Sequence, residues 1–248
     1  MELPILTGFD SAAIVQVAMD EEAAPFLELT VEAGESFSVG AAEFYPRVLR
    51  TDDGERQLLL VRSRIGLVNA ATAITTALQL VSAPTVVVSA GTAGGLHTTV
   101  NVGDVVVGTE YTYTDADATA FGYVRGQVPG MPEKFLTDPQ LLDAARAAVR
   151  GFATDGEVRQ GQMLAGGSFV TAHNVADTRE VFPEGLSTDM ETTAIAQVCF
   201  SRGVPFIATR AISDLCGPQA DQVFHLEVDQ VAPVSARFAL AAITKYIA

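Results

Sequence analysis

Apolar residues along this chain of 248 residues fall into short runs rich in β-branched side chains, alternating with longer stretches of helical period. Residues 13–18, 58–62, 85–89, 104–107, 159–164 and 205–212 predict strands, several of them apolar at consecutive positions, as in strands buried on both faces. Residues 69–80, 139–149, 192–201 and 231–246 predict helices. This alternation predicts an α/β fold of three layers, a central mixed, largely parallel twisted sheet flanked by helices on both faces. No repeat, low-complexity tract or Pro/Gly/Ser linker divides residues 1–248, so one domain is expected. In open α/β sheets a ligand sits beyond the carboxyl ends of the strands. The informative residues should therefore follow strands.

Composition narrows the function. The net charge of −15 and the lack of a Lys/Arg cluster argue against a nucleic-acid partner. Hydrophobic content of 48% with 18% charged residues supports a sizeable core. No apolar run is long enough to cross a bilayer, and Met1-Glu2-Leu3-Pro4 has no basic leader character, so a cytoplasmic protein without a membrane partner is expected. Cys199 and Cys216 fit no metal or redox spacing and read as two reduced thiols.

Four places satisfy the post-strand condition. Met19-Asp20-Glu21-Glu22 follows the first strand, and alone it reads as the acidic first turn of a helix. Ser89-Ala90-Gly91-Thr92-Ala93-Gly94-Gly95-Leu96 reads as a tight turn whose small residues let the backbone approach a ligand. Thr188-Asp189-Met190-Glu191 opens the helix at 192, where the glutamate either marks a helix start or accepts from two adjacent hydroxyls, as a ribose diol requires. Arg210-Ala211-Ile212-Ser213-Asp214 ends a buried strand in an acid. Half-desolvated, that acid could keep its proton as a donor; the alternative is a cap or turn residue.

Other familiar chemistry is absent from the pattern. His97, His173 and His225 form no ligand spacing, so no metal site is expected. Gly166-Gly167-Ser168-Phe169 is not a nucleophile elbow, and no GxGxxG supports a dinucleotide-dependent oxidoreductase.

Taken together and in this order, the segments resemble the methylthioadenosine/S-adenosylhomocysteine nucleosidases of the purine nucleoside phosphorylase/hydrolase superfamily. The likeness runs from about Ile14 onward. It rests on Met19–Glu22, Gly91-Thr92-Ala93-Gly94-Gly95, Met190-Glu191 with Thr193-Ala194-Ile195-Ala196, and Arg210–Asp214. The run Asp115-Ala116-Asp117-Ala118-Thr119-Ala120-Phe121-Gly122-Tyr123 points to nucleosidases over phosphorylases. The resemblance implies hydrolysis of the N-glycosidic bond of methylthioadenosine or S-adenosylhomocysteine, without a cofactor, by a homodimer. It further implies that Glu22 activates water and that Asp214, steadied by Ser213, protonates N7 of the purine. Met190 and Glu191 would hold the ribose, Phe169 would stack on the base, and the Val170 backbone would bond its edge. Met19, Ile65 and Phe224 would line the ribose and alkylthio pocket, with Phe121 and Pro129 from the partner subunit.

The chain departs from the family pattern at three positions. Arg64 stands in Ser63-Arg64-Ile65-Gly66 where glycine is usual, Thr92 replaces a serine, and Asp189 replaces a glutamate; the last two are expected in the binding set. Arg64, with Arg62, keeps open a phosphorylase that grips phosphate. A catalytically silent nucleoside-binding protein is the alternative from another class. The 5′ substituent, whether methylthio, homocysteinyl or deoxy, stays open.

Overall fold

Strand β1 (Ala13–Val17) has every residue buried because its side chains alternate between two cores, Ile14 to one side and Ala13, Val15 and Val17 to the other. The computed structural model describes Leu6 and residues 8–217 and 220–247, the side chains of 221–226 excepted. After β1 come helix α1 (Asp20–Leu29) and strands β2 (Val31–Glu32), β3 (Phe37–Val39), β4 (Ala42–Thr51) and β5 (Gly54–Arg62). Helix α2 (Leu67–Leu80) leads to β6 (Val87–Gly95) and β7 (Val105–Tyr113), followed by a 3₁₀ turn at Thr119–Phe121 and β8 (Phe135–Leu136). The remainder is α3 (Pro139–Val149), β9 (Val158–Ala165), α4 (Val175–Val181), β10 (Gly185–Asp189), α5 (Thr192–Arg202), β11 (Phe206–Asp214) and α6 (Ala220–Ile247).

These strands form one mixed sheet in the order β10-β9-β7-β11-β6-β1-β5-β4-β2. The centre, β5-β1-β6-β11, is parallel, as expected of doubly buried strands. The β4–β5 hairpin and the β7–β11 pair are antiparallel. Strand β10 pairs with β9 and also antiparallel with β6, so that β6, β11, β7, β9 and β10 close on themselves. Helices α2 and α5 cover one face through Ala70, Ile74, Ile195 and Cys199. Helices α1, α3 and α6 cover the other through Phe26, Ala145, Phe238 and Ile243, completing three layers. Among the described residues no helix is long and apolar enough to cross a membrane.

Candidate active site

Strand β6 does not stop at Ser89. The glycine-rich segment expected as a turn continues as strand to Gly95, where Gly94 and Gly95 pair with Thr188 and Ser187 of β10. The turn reading missed that closure of the sheet supplies partners for this backbone. The glycines instead make room for acids. A Cβ on Gly91 would meet the Glu22 carboxylate and lie 2.8 Å from Arg210 Nη1, and Gly91 has φ +133°. A Cβ on Gly94 would lie 2.6 Å from Cys216 Sγ and 3.3 Å from Asp214 Oδ1.

The first acidic segment divides between surface and interior. Asp20 and Glu21 are exposed in the first turn of α1, where acids favour the helix N-terminus. Glu22 is only 2% exposed and turns inward. Its Oε2 accepts from the backbone N–H groups of Ala18 at 2.9 Å and Met19 at 3.2 Å. Its Oε1 accepts from the Thr92 N–H at 2.7 Å and the Thr92 hydroxyl at 3.0 Å. Donors of this kind stabilise a carboxylate that burial would otherwise penalise. The threonine hydroxyl at 92 thus does what a serine there would do.

At the start of α5, Asp189 is taken up internally. Its Oδ1 accepts from the N–H groups of Glu191 at 2.8 Å and Thr192 at 2.7 Å, and Oδ2 accepts from the Thr192 hydroxyl at 2.6 Å. These are the otherwise orphaned donors of a helix N-terminus. Glu191 Oε1 accepts from the Gly66 N–H at 2.8 Å, tying this segment to the turn before α2. Burial raises the Glu191 carboxyl above its ordinary value, opposed by Arg210 and reinforced by Asp189.

Arg210 is the residue at the centre, and the motif analysis gave it no role. It is 1% exposed, with Glu22 Oε1 at 4.0 Å from Nη1, Asp189 Oδ2 at 3.6 Å from Nε and Glu191 Oε2 at 3.7 Å from Nη2. Nη2 also donates to Ser89 Oγ at 2.9 Å and Thr192 Oγ1 at 3.1 Å. Burial works to lower the guanidinium's pKa, yet Asp189, Glu191 and Glu22 hold it raised. The available signal was a lone arginine inside a strand buried along its whole length, a position tolerable only with several partners.

Asp214 ends β11 nearly fully buried. Oδ1 accepts from the Cys216 N–H at 2.9 Å, and Oδ2 lies 3.1 Å from the Ser213 hydroxyl, which also reaches the Ala93 carbonyl at 3.3 Å. Burial raises this carboxyl, against the Cys216 N–H and the Ser213 hydroxyl. Cys216 itself is buried, has a left-handed φ of 54°, and its thiol is pushed up to about 12 by burial and by Asp214.

One cavity collects these groups. Its lining includes Met19, Glu22, Ile65, Thr92, Phe169, Val170, Asp189, Met190, Glu191, Ser213, Asp214 and Cys216. The side chain of Phe224 lies outside the described residues. Phe121 and Pro129 do not line this cavity and are exposed, Phe121 at 84%. Their neighbours Val128 and Met131 fold back onto the core, so only part of the apolar 121–131 stretch faces solvent.

The two cations that kept phosphate open are elsewhere. Arg64 is exposed and does not line the cavity. Its charge falls on Glu43, whose carboxyl the Tyr45 hydroxyl, Arg62 and Arg64 hold low against burial. Arg62 is buried and paired with Asp20 at 2.9 Å and with Glu43. Among the described residues no Lys, Arg or His lines the cavity, and no cluster of His, Cys, Asp or Glu is arranged for a metal ion.

Comparison with known proteins shows the family and the fold. The model of the phosphorylase superfamily matches residues 12–248. A 5′-methylthioadenosine/S-adenosylhomocysteine nucleosidase of Staphylococcus carnosus is 37% identical over 224 residues, 90% of this chain and 95% of that protein. The Neisseria meningitidis nucleosidase of the same name, solved with methylthio-immucillin-A, superposes with a TM-score of 0.87 at 36% identity, covering 95% of this chain and 99% of that one. The Colwellia psychrerythraea nucleosidase, solved with adenine, gives a TM-score of 0.87 at 32% identity and covers 95% of each chain.

Proposed function

This chain belongs to the phosphorylase superfamily, among the 5′-methylthioadenosine/S-adenosylhomocysteine nucleosidases, and we propose from that premise that it hydrolyses the N-glycosidic bond of methylthioadenosine and S-adenosylhomocysteine, releasing adenine and the thioribose. The observation that carries this reading is the pair of buried acids in one cavity, with no free cation beside them among the described residues: Glu22, held by four donors, and Asp214, whose proton burial favours. Glu22 is held at Thr92 and Asp214 stands against Gly94. At about 3.3 Å per residue along a strand, these anchor points on β6 lie roughly 7 Å apart, so the acid and the base approach the cavity from separate places, as an inverting glycosidase requires.

Cleaving the bond from C1′ to N9 sends its electron pair to the purine and leaves positive charge on the sugar. Asp214 gives its proton to N7, Glu22 takes a proton from water, and the hydroxide bonds to C1′. Ser213 can turn its own proton to the Ala93 carbonyl and accept from protonated Asp214. Glu191 and Met190 hold the ribose, Phe169 stacks on the base, and Met19 and Ile65 line the 5′ side. Asp189 supports binding indirectly, by holding the helix start and Arg210. The whole chain works as one nucleosidase domain in the cytoplasm, as a homodimer. The exposed Phe121 and Pro129 complete the partner's site, since a monomer would leave this apolar surface in water.

Base selectivity tests the reading. The Val170 N–H would donate to unprotonated N1 and its carbonyl would accept from the 6-amino group. Inosine carries a proton on N1 and a carbonyl at C6, mismatching both contacts. A site built on hydrogen bonds rejects such an analogue by up to about 10⁴. Methylthioadenosine should therefore far exceed methylthioinosine in kcat/KM, and comparable values would sink the adenine assignment.

A further inference from the structure

Behind the seam between β6 and β11 lies a serine that the chemistry above does not use. Ser235 of α6 is fully enclosed. Its oxygen accepts from the Gly91 N–H at 3.0 Å and donates to the Thr209 carbonyl at 3.4 Å. A hydroxyl inside a helix commonly turns back to a carbonyl of its own helix, as Thr244 does to Leu240 at 2.8 Å in the same α6. Ser235 reaches across to the sheet instead. Its neighbours Ala236, Phe238 and Ala239 belong to an apolar core, where packing alone would be served by alanine.

The register gives this reach its meaning. Gly91 lies opposite Arg210 in a parallel pair, and the bonds of such a ladder slant from one strand to the other. The Ser235 hydroxyl stands between a donor of one strand and an acceptor of the next, and it has the groups to serve both. The residues that follow each tied peptide are the ones that meet the base. Thr92, after Gly91, gives its N–H and hydroxyl to Glu22 Oε1 at 2.7 and 3.0 Å. Arg210, after Thr209, places Nη1 4.0 Å from the same oxygen. There is no slack at this point, because even a Cβ on Gly91 would strike both the Glu22 carboxylate and Arg210.

We propose that Ser235 is a positioning residue for the water-activating base: its hydroxyl sets the spacing of Gly91 and Thr209, and through Thr92 and Arg210 fixes Glu22. This rests on Glu22 being the base. It acts on the chemical step and leaves the adenine and 5′ contacts untouched.

The test is kcat and KM for methylthioadenosine in Ser235→Ala and Ser235→Thr, each also made in a Glu22→Gln background. Misplacing a catalytic group by about an ångström costs up to about 10² in rate, so Ser235→Ala should lower kcat about 10–100-fold with KM within about threefold. Ser235→Thr, which keeps the hydroxyl, should recover most of the loss. In the Glu22→Gln background, Ser235→Ala should cause no further loss, because residues acting through one another are non-additive. Wild-type kcat in Ser235→Ala, or an equal loss in both backgrounds, overturns the proposal. If Ser235→Ala does not fold, Ser235→Cys is read the same way, and failure of both assigns the residue to core stability and overturns it too. Near-normal turnover by Glu22→Gln alone is a separate outcome: it removes the base assignment, and the proposal with it.

Discussion

Replacing Asp214 by asparagine is expected to lower kcat by about 10²–10⁴, the usual range for a lost general acid, with the fold intact. The amide oxygen can take over the Cys216 N–H, and the Ser213 hydroxyl can rotate to accept from the new NH₂ while donating to Ala93. Every contact survives; only the proton for N7 is gone. The pH dependence follows from the raised carboxyl of Asp214. The protonated form is the active one, so turnover holds below that raised value and is lost as pH rises through it. For stability the sign is the same. Above its ordinary value of 3.8 the unfolded state releases a proton that the native state retains, so Asp214 weakens the fold as pH rises. The asparagine variant should therefore be at least as stable as the parent near neutral pH, measured by thermal unfolding. Near-normal turnover of methylthioadenosine in that variant would reject the acid assignment.

Glu22→Gln should remove hydrolysis to a comparable degree, about 10²–10⁴, while the variant still binds an adenine-based inhibitor. Here the substitution is less silent. Both carboxylate oxygens accept backbone N–H groups, from Ala18 and Met19 on one side and Thr92 on the other. A glutamine must therefore point its NH₂ at one of these donors, leaving a buried N–H unpaired at a cost of about 1–3 kcal/mol. A drop in thermal midpoint with binding retained is the expected signature. Calorimetry showing that inhibitor binding fails in parallel with turnover would move Glu22 from base to binding residue.

Much of this was legible in the sequence because it rests on local pattern. The central strands are apolar on both faces and stand out without tertiary information. Helix α3 begins where Asp138 caps it, accepting from Gln140 N at 2.9 Å, with Pro139 at its first position. Glu22, Glu191 and Asp214 follow strands, as ligand-binding residues in such sheets do. The β4–β5 hairpin was not anticipated, although Thr51 pairs with Gly54 across an Asp52-Asp53 turn, because its strands mix charged and apolar residues. Strand β10, Gly-Leu-Ser-Thr-Asp, exists only through its partners β9 and β6. The same closure turned the glycine segment from turn to strand. Arg210 and Ser235 were hidden for a related reason: their contacts join residues far apart in sequence, such as Arg210 with Ser89 and Ser235 with Gly91. Arg64, conspicuous in the sequence, sits outside the cavity.

Product analysis with methylthioadenosine, run with and without inorganic phosphate, tests hydrolysis most directly. Among the described residues the cavity lining contains no cation, Arg62 is paired with Asp20 and Glu43, and Arg210 already faces Glu22, Asp189 and Glu191. Adenine and free thioribose should therefore form at the same rate in both conditions. A thioribose 1-phosphate that appears only with phosphate, with turnover rising in step, would contradict the account.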